Sequence, residues 1–170
     1  KETALVEGVS RELKVQSEEL PERISQLSER LKAAEKEIEV LRKAQLTARA
    51  SEIIDSATEV NGIKTITLQL PDGTSGGDLR TVATDIRNRM KDTAAVIVLG
   101  AVDKGKFPFI AAATGKAVDQ GVKAGDIVKR LGEYVNGRGG GKPDMAQGSG
   151  TAPEGAQRGF EAVKDLLQSR

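Results

Sequence analysis

The hydrophobic positions of the chain change their period after about fifty residues. In the N-terminal part, apolar side chains recur alternately four and three residues apart, which is the heptad spacing of a coiled-coil helix. This heptad seam comprises Leu20, Ile24, Leu27, Leu31, Ala34, Ile38 and Leu41, with Gln45 at the next position. Leu5, Val9 and Leu13 predict a shorter helix before it. Two arrangements remain open: an antiparallel helical hairpin within one chain, or a coiled coil between chains.

After Ala50, runs typical of strands alternate with runs typical of helices. Two β-like runs flank Asn61-Gly62, a dipeptide favoured in type I′ hairpin turns. The later segments are a helix at 76–90, a buried strand at 94–101, a second strand at 106–114, a helix at 120–135 and a closing helix at about 153–168. Pro108 predicts that the second of these strands lies at a sheet edge, because proline cannot donate to a central ladder.

These patterns predict an α/β (α+β) fold, in which a coiled-coil helical arm precedes a compact globule with a small β-sheet packed by helices. The expected subdomains are residues 1–50 and 51–170, and the second contains a glycine-rich loop at 137–150. No apolar run approaches the length of a membrane span and no signal peptide opens the chain, so we expect a cytoplasmic protein. Because Lys1 stands where an initiator methionine would, we expect a processed chain or an excised fragment.

The composition argues against catalysis by this chain. Cysteine and histidine are both absent, which removes thiol nucleophiles, imidazole bases and the usual zinc ligands. The segment GAVDKGKF (100–107) imitates a phosphate-binding P-loop, but Phe107 replaces the magnesium-binding serine or threonine, and a strand follows where a helix is required. The segment GSGTAP (148–153) lacks the last glycine of a dinucleotide-binding motif. We therefore expect a binding or assembly module without a catalytic site, metal or cofactor of its own.

The segment GRGGGKPDMAQGSG (137–150) could be a linker, a phosphate cradle or a contact surface for a larger partner. Pro143 and Met145 limit the freedom of a linker, whereas three adjacent glycines expose bare amides and let another backbone approach closely. Residues 101–142 carry eight basic and four acidic residues, an excess that favours a polyanion partner. With few aromatic residues, extensive base stacking is not expected, and Phe107 and Phe109 are assigned to the core. The segment is interpreted as a contact surface.

These residues resemble a known family. GRGGGKPDMAQGSG followed by a terminal amphipathic helix resembles the C-terminal (C-Ala) domain of alanyl-tRNA synthetases, and residues 123–147 fit that pattern continuously. Residues 10–43 resemble the helical segment that links the family's editing domain to C-Ala. The globule is similar to the DHH-associated domain, which also occurs in phosphoesterases. There the glycine motif ends in histidine, whereas Lys142 stands at that place here, which favours the synthetase branch.

The resemblance implies a domain that binds the outer corner of tRNA, where the D- and T-loops meet, and helps join aminoacylation with editing. The matching residues are Arg138, Gly139, Gly140, Gly141 and Lys142. It also implies a parent alanine–tRNA ligase whose ATP, magnesium and zinc sites lie in upstream domains, and a homodimer formed through the helical arm. Two alternatives stay open: an accessory domain of a phosphoesterase or free-standing editing protein, and a purely structural dimerisation module.

Overall fold

The computed structural model describes all 170 residues and confirms the predicted mixed α/β fold. The helices are α1 (Glu2–Leu13), α2 (Leu20–Asp55), α3 (Gly76–Arg89), α4 (Gly115–Asp119), α5 (Ala124–Tyr134) and α6 (Ala156–Gln168), with short 3-10 turns at Ser17–Glu19 and Pro153–Gly155. The strands are β1 (Thr58–Val60), β2 (Ile63–Gln69), β3 (Ala95–Gly100), β4 (Phe107–Ala113), β5 (Gly137–Lys142) and β6 (Met145–Gly150). No helix combines the length and the hydrophobicity that crossing a bilayer requires.

The chain divides into two compact units, Lys1–Gln45 and Leu46–Arg170. The first unit contains α1 and most of α2, and its heptad seam is largely open to solvent. Its open members, Ile24, Leu31, Ile38 and Leu41, are between 50% and 62% exposed. Within one chain the seam is therefore mostly uncovered, with Leu20 buried and Leu27 partly buried at its start, and pairing between chains stays a prediction.

The last turns of α2 belong to the second unit. Ala50 and Ile53 are buried there, in a cluster with residues of α3 and of the sheet. The assignment of residues 1–50 and 51–170 as subdomains with separate roles stays a prediction.

The sheet of the second unit has the strand order β1-β2-β3-β4-β6-β5. The neighbours β2 and β3 are parallel and are joined through α3, whereas the other neighbouring pairs are antiparallel. Between β1 and β2, Asn61 and Gly62 have φ angles of 52° and 78°, the positive values that a type I′ turn needs. The predicted hairpin turn is confirmed.

Side chains of the central strands alternate between two helical layers. On one face, Val98, Phe107 and Phe109 pack with residues of α5 and α6. On the other face, Ile97 and Ile110 pack with residues of α3 and with the end of α2. The centroids of the Phe107 and Phe109 rings lie 6.3 Å apart inside the first of these clusters, so their predicted place in the core is confirmed.

The predicted edge position of Pro108 is wrong, because β4 lies between β3 and β6. The carbonyl of Pro108 accepts a hydrogen bond from the N–H of Ala101 at 3.2 Å, one residue beyond the end of β3 at Gly100. In an antiparallel pair, the N–H and C=O of one residue face the same neighbour. The missing N–H of proline therefore falls opposite the point where β3 has ended, and the ladder keeps its bonds.

Candidate functional site

The segment predicted as a glycine-rich loop, residues 137–150, forms a β-hairpin. Its arms are β5 and β6, connected by Pro143 and Asp144. In this glycine hairpin, β6 pairs with β4 as well as with β5, and β5 is the edge strand of the sheet. The loop prediction was wrong because glycine has a low strand propensity, whereas here close packing of the backbone decides the local structure.

One face of β5 packs tightly against its own neighbours. A Cβ atom added to Gly139 would lie 2.5 Å from the Cα of Gly148 and 2.6 Å from the Cγ1 of Val128 on α5. A Cβ added to Gly141 would lie 2.5 Å from the carbonyl oxygen of Met145. Real Cβ contacts essentially never fall under 3.0 Å, so these two positions exclude a side chain. The backbone that approaches the Cβ side of Gly139 and Gly141 thus belongs to this chain, and a contact of these two glycines with a partner stays a prediction.

The opposite face of β5 is open. Because strand side chains alternate, Arg138, Gly140 and Lys142 share the face that is turned away from α5. All three are exposed, and a Cβ added to Gly140 would meet nothing within 4 Å. The glycine motif therefore combines positions that need glycine for packing with one position that is free toward solvent.

This open face borders a groove of about 340 Å³, which we call the hairpin groove. Arg80 and Arg87 of α3 line it together with Gly140, Gly141, Lys142, Asp144, Met145, Ala146 and Gln147 of the glycine hairpin. The Nη1 of Arg80 donates to the Oε1 of Gln147 at 3.0 Å. The Nη1 of Arg87 donates to the Oδ2 of Asp144, also at 3.0 Å. Both arginines thus connect α3 to the hairpin across the groove.

The hairpin groove carries an excess of positive charge. Arg80, Arg87 and Lys142 are cationic, and Asp144 is the one carboxylate in the lining. Clustered cations on a concave surface attract polyanions and raise their local concentration. No group of three or more acidic side chains in the chain is placed to hold a metal ion. The three cations in the lining favour binding of a polyanion.

Some of the basic residues that the sequence grouped at 101–142 lie outside the hairpin. Arg138 and Lys142 lie on β5, whereas others have partners elsewhere. The Nζ of Lys116 donates to the carbonyl of Asp92 at 2.7 Å. Arg130 pairs with Glu133 at 2.8 Å within α5. A count of charge along the chain therefore includes basic residues, such as Lys116 and Arg130, that have partners outside the hairpin groove.

Sequence reasoning missed Arg80 and Arg87, because they lie far from the hairpin along the chain. A signal for them existed in the helical pattern of residues 76–90. Residues seven apart lie on one side of a helix, and Leu79 and Ile86, which precede the two arginines, are buried. The spacing places both arginines beside the buried stripe, but only the tertiary structure brings that side of α3 to the hairpin.

The sequence of the second compact unit matches a known family of domains. The chain belongs to the DHHA1 domain family, which matches residues 62–169, a range that includes α3 and the glycine hairpin. Among its relatives, the alanine–tRNA ligase of Corynebacterium jeikeium (strain K411) is 50% identical over 98% of this chain, and that of Nocardia farcinica (strain IFM 10152) is 46% identical over 96%. These alignments confirm the resemblance to the synthetase family. The chain spans 19% and 18% of the length of these two ligases.

A solved structure agrees with the fold. The crystal structure of the C-Ala domain from Aquifex aeolicus alanyl-tRNA synthetase superposes with a TM-score of 0.61. The superposition covers 66% of this chain and 98% of that domain at 24% sequence identity. At this identity the likeness concerns the fold alone.

Proposed function

We propose that this chain is the tRNA-binding C-terminal domain of an alanyl-tRNA synthetase and that it contacts tRNA through the hairpin groove. The observation that carries the proposal is the open face of β5, where Arg138 and Lys142 flank the unobstructed Gly140. The names of the aligned relatives, alanine–tRNA ligases, supply the kind of RNA. They also favour this function over an accessory domain of a phosphoesterase or of a free-standing editing protein.

The proposed site residues divide into two roles. Gly139 and Gly141 hold β5 against its neighbours, so they shape the surface rather than carry its charge. Gly140 leaves room for a phosphate backbone to approach, and Arg138 and Lys142 supply salt-dependent attraction to phosphates. Such a surface suits the outer corner of tRNA, which is recognised by its folded shape and phosphates. From that contact the domain would help couple aminoacylation with editing.

Base stacking has little part in this proposal. The three phenylalanines, Phe107, Phe109 and Phe160, are at most 3% exposed. Tyr134 is partly buried, and the guanidinium carbon of Arg130 lies 5.5 Å from the centroid of its ring. Since stacking platforms for single-stranded bases need accessible rings, recognition here relies on phosphate and backbone contacts.

The proposed parent protein has further parts. Alanine activation and editing would use ATP, magnesium and zinc in other domains of a longer, cytoplasmic ligase, and this chain would hold none of these groups. The chain's own contribution would be to bind tRNA and to position it for those domains.

We further propose that the helical arm pairs with a second copy through the heptad seam. The observation that favours this role is the exposure of its apolar side chains, with Leu31 at 59% and Leu41 at 62%. Continuous exposed apolar surface commonly marks an interface. In the parent synthetase, the chain would both self-associate and bind tRNA. If it did not bind tRNA, it would be a purely structural dimerisation module.

Replacing Lys142 with alanine tests the tRNA contact. We expect the affinity for an alanine-specific tRNA transcript to fall about five- to tenfold near 0.1 M salt, because one phosphate contact is lost. The slope of log K against log salt should become shallower by about 0.9, the share of a single phosphate. Filter binding at several salt concentrations measures both quantities.

The matched control is Lys164→Ala on α6, which packs on the opposite face of the sheet from α3. It removes the same charge, together with a surface ion pair to Glu161 at 3.1 Å, which is worth little. If the two variants lost affinity equally, net charge alone would explain the effect, and a specific site at Lys142 would be contradicted.

A further inference from the structure

Two arginines of α3 reach across the hairpin groove to side chains that hold them differently. Arg80 meets the neutral amide of Gln147, so its charge is not compensated there. Arg87 meets the carboxylate of Asp144, and the two side chains are 24% and 51% exposed. The carboxylate therefore neutralises one of the three cations that line the groove.

We propose that Arg87 binds a phosphate of the RNA and that Asp144 masks it in the free protein, so that RNA binding exchanges one anion for another. The proposal rests on the proposed function of the hairpin groove and adds the residues that set its affinity. Asp144 then acts as a determinant of selectivity, because an anion that binds the groove weakly does not displace the Asp144 carboxylate from Arg87.

The exposure of the ion pair between Arg87 and Asp144 and the chemistry of phosphate both favour this exchange of anions. An ion pair exposed to this degree contributes little to stability, because water screens both charges. The two non-bridging oxygens of a phosphodiester offer the planar guanidinium of arginine two acceptors, as a carboxylate does, and the neighbouring phosphates add further negative charge. Asp144 lies on the two-residue turn between β5 and β6, two positions after Lys142, so it can turn toward solvent without breaking the strand ladder.

The position of Asp144 also gives it an effect on RNA in its own right. In the hairpin groove the carboxylate stands among Arg80, Arg87 and Lys142, where it repels an incoming phosphate. Removing its charge should both release Arg87 and remove this repulsion. Removing Arg87 should instead delete a phosphate contact. The two partners of one ion pair thus have opposite effects on RNA binding.

The test compares Arg87→Gln with Asp144→Asn in the 170-residue chain, with an alanine-specific tRNA transcript as the probe. We expect Arg87→Gln to weaken binding about five- to tenfold near 0.1 M salt and to make the salt slope shallower by about one phosphate. Asp144→Asn should strengthen binding about threefold to tenfold and make the slope steeper by a similar amount. Arg80→Gln should also weaken binding. Its partner Gln147 carries no charge, so no substitution there should strengthen binding as Asp144→Asn does.

The controls are Arg158→Gln and Asp165→Asn on α6, which change net charge equally and lie outside the groove. Both ion-pair variants remove the charged contact between the side chains of Arg87 and Asp144, although Asp144→Asn keeps the bond from the Nη1 of Arg87 to the carbonyl of Asp144 at 3.4 Å. If the pair served only to tether α3 to the hairpin, neither variant would strengthen binding, so a failure of Asp144→Asn to strengthen it overturns the proposal. Unchanged affinity in both, with Lys142→Ala still weakened, overturns it too and leaves the proposed function in place. If Lys142→Ala is also unaffected, the proposed function of the groove fails as well.

Discussion

Replacing Gly139 with valine is expected to destabilise the second compact unit by roughly 3 kcal/mol or more, the upper range for overpacked sites. The new Cβ would collide with the carbonyl oxygen of Gln147 on β6 and with Val128 on α5. Backbone atoms in a paired strand cannot yield as a flexible side chain can, so β5 must separate from β6 or from α5. We expect the melting temperature, followed by circular dichroism, to fall by about 10 °C.

The matched control is Gly140→Val, one position along the same strand. Its Cβ would meet nothing within 4 Å, so its melting temperature should stay close to that of the original chain. The branched side chain would nevertheless stand on the open face and keep RNA away, and we expect tRNA affinity to fall about tenfold, equivalent to about 1.4 kcal/mol. Equal melting temperatures for the two valine variants would refute the division of the motif into packing and contact positions. A linker role would leave melting and affinity unchanged in both.

Introducing aspartate at Leu27 and Leu31 together is expected to weaken self-association of the chain at least about 100-fold, or ~3 kcal/mol. The two positions lie in the middle of the heptad seam, where a paired helix would bury them. Unpaired carboxylates in such a seam are not compensated, so dissociation is favoured over burial. Sedimentation equilibrium over a range of concentrations measures the change.

The control places two aspartates on the outer side of the same helix, at Ser25 and Ala33. Helix content by circular dichroism should stay similar in both double variants, so that a difference in association reports on the seam. An original chain that stays monomeric at high concentration would refute pairing between copies. The exposed seam would then need another explanation.

Most secondary structure follows from local patterns. The Asn61-Gly62 turn formed as predicted because only a few residue types accept positive φ at both positions of the turn. The helix at 76–90 and the apolar strand at 94–101 are recovered as α3 and β3 within one residue at each end. Such apolar patterns are recovered in the structure because burial of apolar side chains is the main driving force of folding.

The glycine hairpin shows where local patterns fail. A run such as GRGGGK has no side-chain alternation and a poor strand propensity, so nothing in it predicts β5. The strand forms because glycine lets β5 pack closely against β6 and α5, where there is no room for a Cβ atom at Gly139 or Gly141. The prediction for Pro108 also failed because of a tertiary feature. Since β3 ends at Gly100, the missing N–H of Pro108 leaves no residue of β3 without a hydrogen-bond donor, and proline is tolerated in a central strand.

By itself, the sequence determined that this protein has a long heptad helix, a mixed α/β unit, no histidine or cysteine for catalysis, and a basic glycine motif. Each of these depends on residue type or on spacing within one segment. The tertiary structure decided which glycines pack and which one faces solvent, and it brought Arg80 and Arg87 to a hairpin that begins fifty or more residues further along the chain. Such a groove depends on how α3 and β5 lie across the sheet, and neither segment alone contains that information.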